Sequence, residues 1–306
     1  MTGAAPVLDP VEPAAPEGRF REVARAFVAS PLAVVGLVML VTALVLAVSA
    51  PLVMPQDPYD VFTVSVLNAT LPPGSRSFDG TLTFPLGTDG FGRDIFSAIV
   101  YGFRISFGIG VLSGLIALAI GTTAGIVAAF RGGWVDEAIM RLVDFQLSLP
   151  TVLIALIFVA ALGRGVDRIL LALVIVQWAA FARVARAAAL VEKGKDYVAA
   201  ARLMGFGTAR IVFRHMLPNC LPPLIVLAAI EIAHAIALEA TLSFLGLGLP
   251  VTEPSLGLLV ANGFNYILSG KYWISLYPGV ALLLLVLAFN LVGDRLREVL
   301  NPRSGR

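Results

Sequence analysis

The sequence predicts an all-α polytopic membrane protein with six transmembrane helices. Hydrophobic residues make up 58% of the 306 positions and charged residues only 14%, and the mean hydropathy is +0.90. A soluble globular chain is nearer half apolar and a quarter charged. The apolar residues also gather in runs of about 20, the length that a helix needs to cross the hydrocarbon core of a bilayer.

Composition also excludes several classes of protein. A net charge of +2 is too small for an electrostatic footprint on nucleic acid. The single cysteine, Cys220, rules out an internal disulfide framework and any paired-cysteine metal or redox site. The first residues are rich in proline and alanine and acidic, so we expect a disordered cytoplasmic tail at 1–18 and no cleavable signal peptide. Residues 19–306 then form one transmembrane domain.

Six apolar runs are predicted to span the membrane. In chain order they lie at about 31–53, 105–130, 138–162, 169–190, 221–245 and 276–292. The second run contains Gly121 and Gly125, a four-residue spacing that allows two helices to pack closely. The third run contains Pro150, which predicts a kink.

The placement of lysine and arginine predicts the orientation of the chain. If the N-terminus is cytoplasmic, 16 of the 22 basic residues lie inside, five lie outside, and Arg104 lies at the outer start of the second span. An even number of spans returns the C-terminus to the cytoplasm. Residues 54–104 and 246–277 then face outward, and residues 196–218 face the cytoplasm between the fourth and fifth spans.

Residues 196–218, which we call the knob, form a basic amphipathic segment between two apolar runs. Asp196 is predicted to cap a short helix over 197–204, because its carboxylate can accept the free N–H groups of a first turn. Gly205 offers the left-handed conformation that ends a helix.

A second short helix is predicted in the same knob. Thr208 can cap this helix, which runs to about His215, and Pro218 prevents its continuation. Two short helices joined at a glycine, and held in water between membrane spans, make a rigid surface that suits docking to another protein.

The fifth span carries a cluster of polar groups. Glu231 and His234 are three residues apart, so they lie on adjacent turns of one helix face, and Glu239 follows eight residues after Glu231. Ionised groups at mid-membrane cost about 2.5–3.5 kcal/mol each on insertion scales, so they should face a partner helix or a water-filled path. Two interpretations stay open: a translocation path that meets the charged ends of a substrate, or a structural hydrogen-bond cluster, with Glu239 near the outer interface.

Charged residues also stand at the ends of the third and fourth spans. Arg141 and Asp144 are three residues apart, which predicts a local ion pair. Arg183 and Arg186 are expected to extend their guanidinium groups to water and fix the topology.

Signatures of nucleotide binding and catalysis are missing from the sequence. It has no phosphate-binding loop of the form GxxxxGK(S/T) and no HExxH, GxSxG or paired His/Cys pattern. An enzyme within the membrane would need a nucleophile with a base, or metal ligands, at helical spacing. We therefore predict no catalytic residue, no metal site and no cofactor in this chain.

Several motifs, spread in order over nearly the whole chain, resemble one known family. In the knob, residues 199–201, Gly205 and the sequence HMLP ending at Pro218 keep the spacing of the EAA loop of ABC importer permeases. The other motifs are LGTDGFGRDIFS at 86–97, GGWVDE at 132–137, RLVDFQLSLP at 141–150, LSFLGLG at 242–248 and NLVGDRLREVLNPR at 290–303. Together they resemble the C-type permease subunit of the dipeptide/oligopeptide/nickel class of ABC importers.

The knob departs from the family pattern at two positions. Ala199 stands where the family usually has glutamate, and His215 stands where isoleucine is usual. Arg202 or Asp196 could compensate for the missing carboxylate. The apolar face of the knob is an alternative source of affinity; its members are Tyr197, Leu203, Met204 and Phe206.

The resemblance implies a type I ABC importer permease fold in a bacterial inner membrane, with several spans and both termini cytoplasmic. It implies a B-type permease partner, two cytoplasmic ABC ATPase subunits that bind ATP and Mg, an extracytoplasmic substrate-binding protein and surrounding membrane lipid, but no nucleic acid. It also assigns ATPase coupling to the knob, through Asp196, Tyr197, Ala199, Ala200, Ala201, Arg202, Met204, Gly205, His215, Leu217 and Pro218. The candidates for the translocation path are Glu231, His234 and Glu239.

Alternatives to this interpretation differ in what they explain. A proton-coupled secondary transporter could use Glu231 and His234 as a relay, but it gives no reason for a docking knob. A membrane-embedded enzyme would need a nucleophile with a base, or metal ligands, and the sequence shows neither pattern. The charged residues within the spans argue against a purely structural scaffold. Within the importer class, di- and oligopeptides are the expected substrates, and nickel chelates, glutathione and other small solutes are the alternatives.

Overall fold

A computed structural model describes residues 16–60, 62–250, 253 and 255–300, and their secondary structure is mostly helical. In chain order the helices are α1 (Pro16–Val28), α2 (Pro31–Val53), α3 (Ile95–Arg131), α4 (Gly133–Leu147), α5 (Thr151–Leu162), α6 (Val166–Lys193), α7 (Asp196–Leu203), α8 (Thr208–Arg210), α9 (Leu217–Phe244), α10 (Leu256–Phe264) and α11 (Trp273–Leu300). A π-helical stretch, Ile211–Met216, joins α8 to α9. Between α2 and α3 lies a short antiparallel ribbon of β1 (Ser75–Arg76) and β2 (Thr83–Phe84). The predicted tail at 1–18 falls largely outside the described residues.

Long apolar helices confirm the predicted all-α polytopic fold class. Within the described residues, α2, α3, α6, the continuous helix Thr208–Phe244 and α11 are long and apolar enough to cross a membrane. The pair α4 and α5 makes a sixth crossing if it is counted as one bent span. Each predicted run therefore coincides with a helix or with this bent pair.

The N-terminal end of α3 extends beyond the predicted second span. The helix begins at Ile95 instead of near residue 105, because Asp94 caps it: the carboxylate accepts the N–H of Ser97 at 2.8 Å and its hydroxyl at 2.6 Å. The Asp94 N–H donates to Gln56 Oε1 at 2.6 Å, which ties this cap to the end of α2. Polar residues in these turns hide the extension from a search for apolar runs.

Pro150 breaks the third span, where a kink is predicted. The axes of α4 and α5 differ by 92°, and Pro150 itself is extended, with φ −59° and ψ 125°. Proline lacks the N–H that would continue the helix, and it disfavours helical backbone in the residue before it. The Gln146 amide holds the break against α6, since it donates to the carbonyl oxygens of Ile175 at 2.6 Å and Val176 at 3.0 Å.

Close packing of α3 on α6 depends on Gly121 and Gly125, as their spacing predicts. A Cβ added at Gly121 would lie 2.3 Å from the carbonyl oxygen of Trp178, and one added at Gly125 would lie 2.3 Å from that of Ala182. Both contacts are with backbone, which cannot move aside as the end of a side chain can. Glycine is therefore required at both positions for this helix pair.

Gly125→Leu is accordingly expected to destabilise the chain, because overpacking at a tight contact costs about 1–3 kcal/mol or more. The melting temperature of the detergent-purified protein should fall, or folded protein should not be recovered. Gly108→Leu is the matched control on the same helix, since nothing lies within 4 Å of the position of its Cβ. Equal melting temperatures for the two variants would contradict the packing argument.

Candidate functional site

The knob begins with α7, whose start differs from the prediction. Lys195 is the N-cap residue, with extended backbone (φ −82°, ψ 150°) and no capping hydrogen bond from its side chain. The prediction that Asp196 caps this helix is wrong, because Asp196 is itself the first helical residue. Its carboxylate still stabilises the first turn through the helix dipole. Gly205 has φ +75° and ends the helix in the predicted left-handed conformation.

The second half of the knob continues into the membrane-spanning helix without a stop. Gly207, not Thr208, is the N-cap residue of α8, and the π-helical stretch then leads directly into α9. The prediction that Pro218 ends this helix is wrong. Leu217 donates its N–H to the Val212 carbonyl in the wider π register, and Pro218 follows in the first turn of α9, a position where the missing N–H of proline is tolerated.

A buried apolar cluster anchors the knob to the ends of α3 and α6. Four knob residues contribute side chains with almost no exposed surface: Val198, Ala201, Ile211 and Met216. They pack with Ile126 and Ala129 of α3, Ala189 of α6 and Cys220 of α9. Because the cluster joins three helices that span the membrane, the knob is fixed to the transmembrane domain as one body.

Glu192, at the end of α6, is the polar centre of the same anchorage. Its Oε1 accepts from Lys195 Nζ and its Oε2 from the Tyr197 hydroxyl, each at 2.6 Å. Burial and the hydrogen bond to Glu192 raise the pKa of Tyr197 to about 12, so the hydroxyl stays protonated and keeps donating at neutral pH. Glu192 was not among the residues predicted for this site, although its three-residue spacing from Lys195 is a signal for such a pair.

The solvent-exposed surface of the knob carries large apolar side chains at Leu203 and Met204, which we call the apolar tip, and at Phe213. Their exposed fractions are 90%, 64% and 69%. Beside them, the Arg202 guanidinium lies 5.5 Å from the centre of the Phe130 ring, an arrangement that holds this exposed cation near the anchor. Large exposed apolar side chains next to a basic group make a surface that another protein can cover. Phe213 was not among the residues predicted for coupling.

The residues predicted to couple to an ATPase divide into two groups by exposure. The exposed ones are Asp196, Ala199, Ala200, Arg202, Met204, Gly205 and Pro218. Ala201 is buried, and Tyr197, His215 and Leu217 are half-buried. These four residues belong to the interior of the knob, and the exposed residues form its surface.

The local ion pair predicted between Arg141 and Asp144 is wrong. Arg141 instead pairs with Glu137, one turn earlier on α4, at 2.5 Å. Asp144 accepts from Arg183 of α6, also at 2.5 Å. Arg141 thus has its partner on the same helix, and Asp144 has its partner on a neighbouring helix. Residue spacing along one helix cannot reveal a partner on another helix.

Arg186 makes a two-pronged contact between α6 and α4. Its Nε and Nη2 donate to the two carboxylate oxygens of Asp136 at 2.5 and 2.6 Å. Arg183 and Arg186 therefore bind α4 to α6, in place of the predicted reach to water alone. Paired, two-pronged contacts of this kind fix orientation as well as distance.

Glu231 and His234 lie on one face of α9, the arrangement that their spacing predicts. Glu231 Oε1 and His234 Nδ1 are 3.9 Å apart, and the side chains are 14% and 69% exposed. Gln177 of α6 donates to the carbonyl oxygen of Glu231 at 3.3 Å. An ionisable imidazole within a membrane-spanning helix is costly against lipid, so we expect a partner surface or water beside this face of α9.

Glu239 occupies a different environment from that pair. It has no exposed surface, and its Oε1 accepts from the hydroxyls of Ser243 and Ser255 at 2.7 Å each. Ser255 is also the N-cap residue of α10. Glu239 thus fastens α10 to α9, and its side chain is buried whereas that of His234 is exposed.

Comparison with known families gives two matches that together cover most of the chain. Residues 121–306 match the family described as binding-protein-dependent transport system inner membrane component. Residues 18–73 match the N-terminal TM domain of oligopeptide transport permease C.

Individual proteins also resemble this chain over most of their length. The chain is 41% identical over 268 residues to the di/tripeptide transport system permease protein DppC of Pseudomonas aeruginosa (strain UCBPP-PA14), which covers 88% of this chain and 87% of that protein. It is 37% identical over 271 residues to the dipeptide transport system permease protein DppC of Haemophilus influenzae, with coverage of 89% and 90%. Among solved structures it is similar to a chain of the MetNI methionine ABC transporter in an inward-facing conformation. The TM-score is 0.54 and the identity 22%, over 66% of this chain and 96% of that one, which confirms the expected fold.

Proposed function

This chain belongs to the inner membrane components of binding-protein-dependent transport systems, and we propose that it forms half of the translocation path of an ATP-driven importer of di- or oligopeptides. It is a C-type permease, a multi-pass protein of the bacterial inner membrane and a transport component, not an enzyme. The proposal concerns its energy source, the residues that line its translocation path and its substrate.

ATP hydrolysis is proposed to occur in two separate cytoplasmic ATPase subunits that bind ATP and Mg. The sequence has no phosphate-binding loop of its own, so an energy source has to reach it through a contact. The knob supports this role because its apolar tip is exposed and its base is buried. A partner that grips the tip therefore moves the transmembrane domain with it.

One observation carries the coupling proposal: the second half of the knob and the fifth span are parts of one helix. The helix Thr208–Phe244 is continuous over 37 residues. At 1.5 Å per residue, Glu231 lies about 35 Å along it from Thr208. A displacement of the knob on closure of the ATPases would reach the Glu231–His234 face directly, and this motion is proposed to switch the path between outward-open and inward-open states.

A B-type permease is proposed to cover the face of α9 that carries His234. The path would then run between the two permease chains, with Glu231 and His234 at its border. The carboxylate can accept the N–H groups of a peptide ammonium, and the imidazole can donate to a peptide carboxylate. Glu239 is proposed to act indirectly, by holding α10 in place beside this path.

The substrate proposal rests on the two relatives described above, which are named as di/tripeptide and dipeptide transport permeases. An extracytoplasmic binding protein is proposed to deliver the peptide to residues 54–104 and 246–277. The excess of basic residues at 196–218 and near both termini supports cytoplasmic placement of the knob and the two chain ends.

Purification of the full chain in mild detergent tests the proposed assembly. A second permease chain and ATPase chains should co-purify with it, and the reconstituted complex should take up dipeptide only with ATP and the binding protein present. A preparation of this chain alone that transports peptide would overturn the proposal.

A further inference from the structure

A groove at the outer end of α3 is separate from the knob and from the Glu231–His234 pair. Its volume is about 690 Å³, and its walls come from the end of α2, from α3, from the start of α6 and from the outer segments. Along α3, Tyr101 and Arg104 line the first part of the groove, and Gly108 and Leu112 line the part that follows. An amphipathic ligand would match this division.

The apolar half of the groove follows one face of α3. Arg104, Gly108 and Leu112 are spaced four residues apart, so they stack on the same face, and Leu112 lies about 12 Å further along the helix than Arg104. Nothing lies within 4 Å of the position of a Cβ on Gly108, and Leu112 is 50% exposed. These residues form an open slot that runs from the outer end of the span into its apolar part.

The other end of the groove carries charges of both signs. Arg104, Asp57 and Glu253 border it, and within residues 16–60, 62–250, 253 and 255–300 none of the three forms an ion pair. Tyr59 and Tyr101 form a wall, with ring centres 5.4 Å apart and an edge-to-face arrangement.

The charges also act together on one side chain of the wall. Burial and the negative charges of Glu253 and Asp57 raise the pKa of Tyr59, and the positive charge of Arg104 opposes them. All three charged side chains line the same groove as this phenol, so a ligand in the groove has both signs of charge beside it.

We propose that this groove binds one molecule of a zwitterionic aminophospholipid, phosphatidylethanolamine, from the outer leaflet. The Arg104 guanidinium binds the phosphate, the ammonium lies between Asp57 and Glu253, and one acyl chain lies along Gly108 and Leu112. The charged residues match the lipid headgroup and the apolar slot matches its acyl chain. A free peptide has no acyl chain to fill the slot.

Headgroup chemistry selects among lipids. Two carboxylates and one guanidinium give the groove a net charge of −1, which repels an anionic headgroup such as phosphatidylglycerol. A primary ammonium has three N–H donors for the two carboxylates, whereas the quaternary ammonium of phosphatidylcholine has none. The groove should therefore rank phosphatidylethanolamine first among these three lipids.

Lipid retained by the purified complex tests this proposal. Mass spectrometry should find phosphatidylethanolamine bound in stoichiometric amount to the wild type, and about tenfold weaker retention in R104Q and in E253Q, because each loses a charge-assisted hydrogen bond. G108L should also lose the lipid, although its charges are intact. R76Q, which removes an exposed outer cation in β1, is the matched control and should retain the lipid.

Four results would overturn the proposal. The first is equal retention by the wild type and all the variants. The second is equal or better retention of phosphatidylglycerol or phosphatidylcholine after exchange in nanodiscs of defined composition. The third is displacement of the lipid by a dipeptide, which would make the groove a peptide site. The fourth is efficient cross-linking of G108C to the partner permease, which would show that protein fills the slot.

Discussion

Replacement of Leu203 and Met204 by glutamate is expected to abolish ATP-driven uptake while the chain remains folded in the membrane. Both side chains are exposed, so neither supports the buried anchor of the knob. A docked ATPase would cover them, and burial of a large apolar side chain stabilises by about 1.5–3 kcal/mol. Two carboxylates without partners would oppose the same docking. Co-purification of the ATPase chains should fall by at least about tenfold, which corresponds to about 1.4 kcal/mol.

The control for this variant is Leu268→Glu, the same kind of substitution at a fully exposed leucine in the predicted outer segment. It should leave ATPase binding unchanged, because it is remote from the knob. If the double variant transports at the normal rate, the knob does not dock the ATPase. If both variants lose the ATPase to the same degree, the loss reflects folding and not docking.

Replacement of Glu231 and His234 by glutamine is expected to lower the maximal uptake rate by about tenfold without preventing assembly. Glutamine keeps hydrogen-bonding capacity at both positions and removes the carboxylate charge and the titratable imidazole. A charge-assisted hydrogen bond is about twice as strong as a neutral one, so a path that loses both should pass a charged peptide more slowly. Uptake of a dipeptide with a free N-terminus should be affected more than uptake of its N-acetylated form.

Thr241→Val provides the comparison on the same helix, since Thr241 is exposed and its hydroxyl is already bound to the Ala237 carbonyl at 2.8 Å. Its uptake rate should match that of the wild type. Unchanged uptake kinetics in the double glutamine variant would show that Glu231 and His234 have a structural role.

The positions of the long helices could be predicted from the sequence because burial in lipid demands apolar runs of a fixed length. The first run has the same bounds as α2, and Pro150 falls where the third span bends. The helices that extend beyond the apolar layer could not be predicted in this way. The N-terminal end of α3, for example, depends on the bonds that Asp94 makes with Ser97 and with Gln56 of another segment.

Predictions of helix ends in the knob were right where the conformation of a single residue ends the helix. They were wrong where the hydrogen-bond register of the helix determines whether it continues. Gly205 adopts the left-handed conformation with no help from neighbours. Pro218 would stop a helix of uniform register, but the π-helical stretch before it lets the helix continue.

Contacts between residues of different helices also could not be predicted from the sequence. Glu192 with Tyr197, and Asp144 with Arg183, become partners only once the helices pack.

The most direct test of the central claim, that the knob docks an ATPase subunit, uses a cysteine at Met204. The native chain has one cysteine, Cys220, which is buried, so an introduced thiol at the tip is the accessible one. In native membranes, Met204→Cys should cross-link to an ATPase subunit, with a yield that changes when ATP is added. Failure to cross-link, together with full reaction of the thiol with a soluble reagent in the assembled complex, would contradict the account.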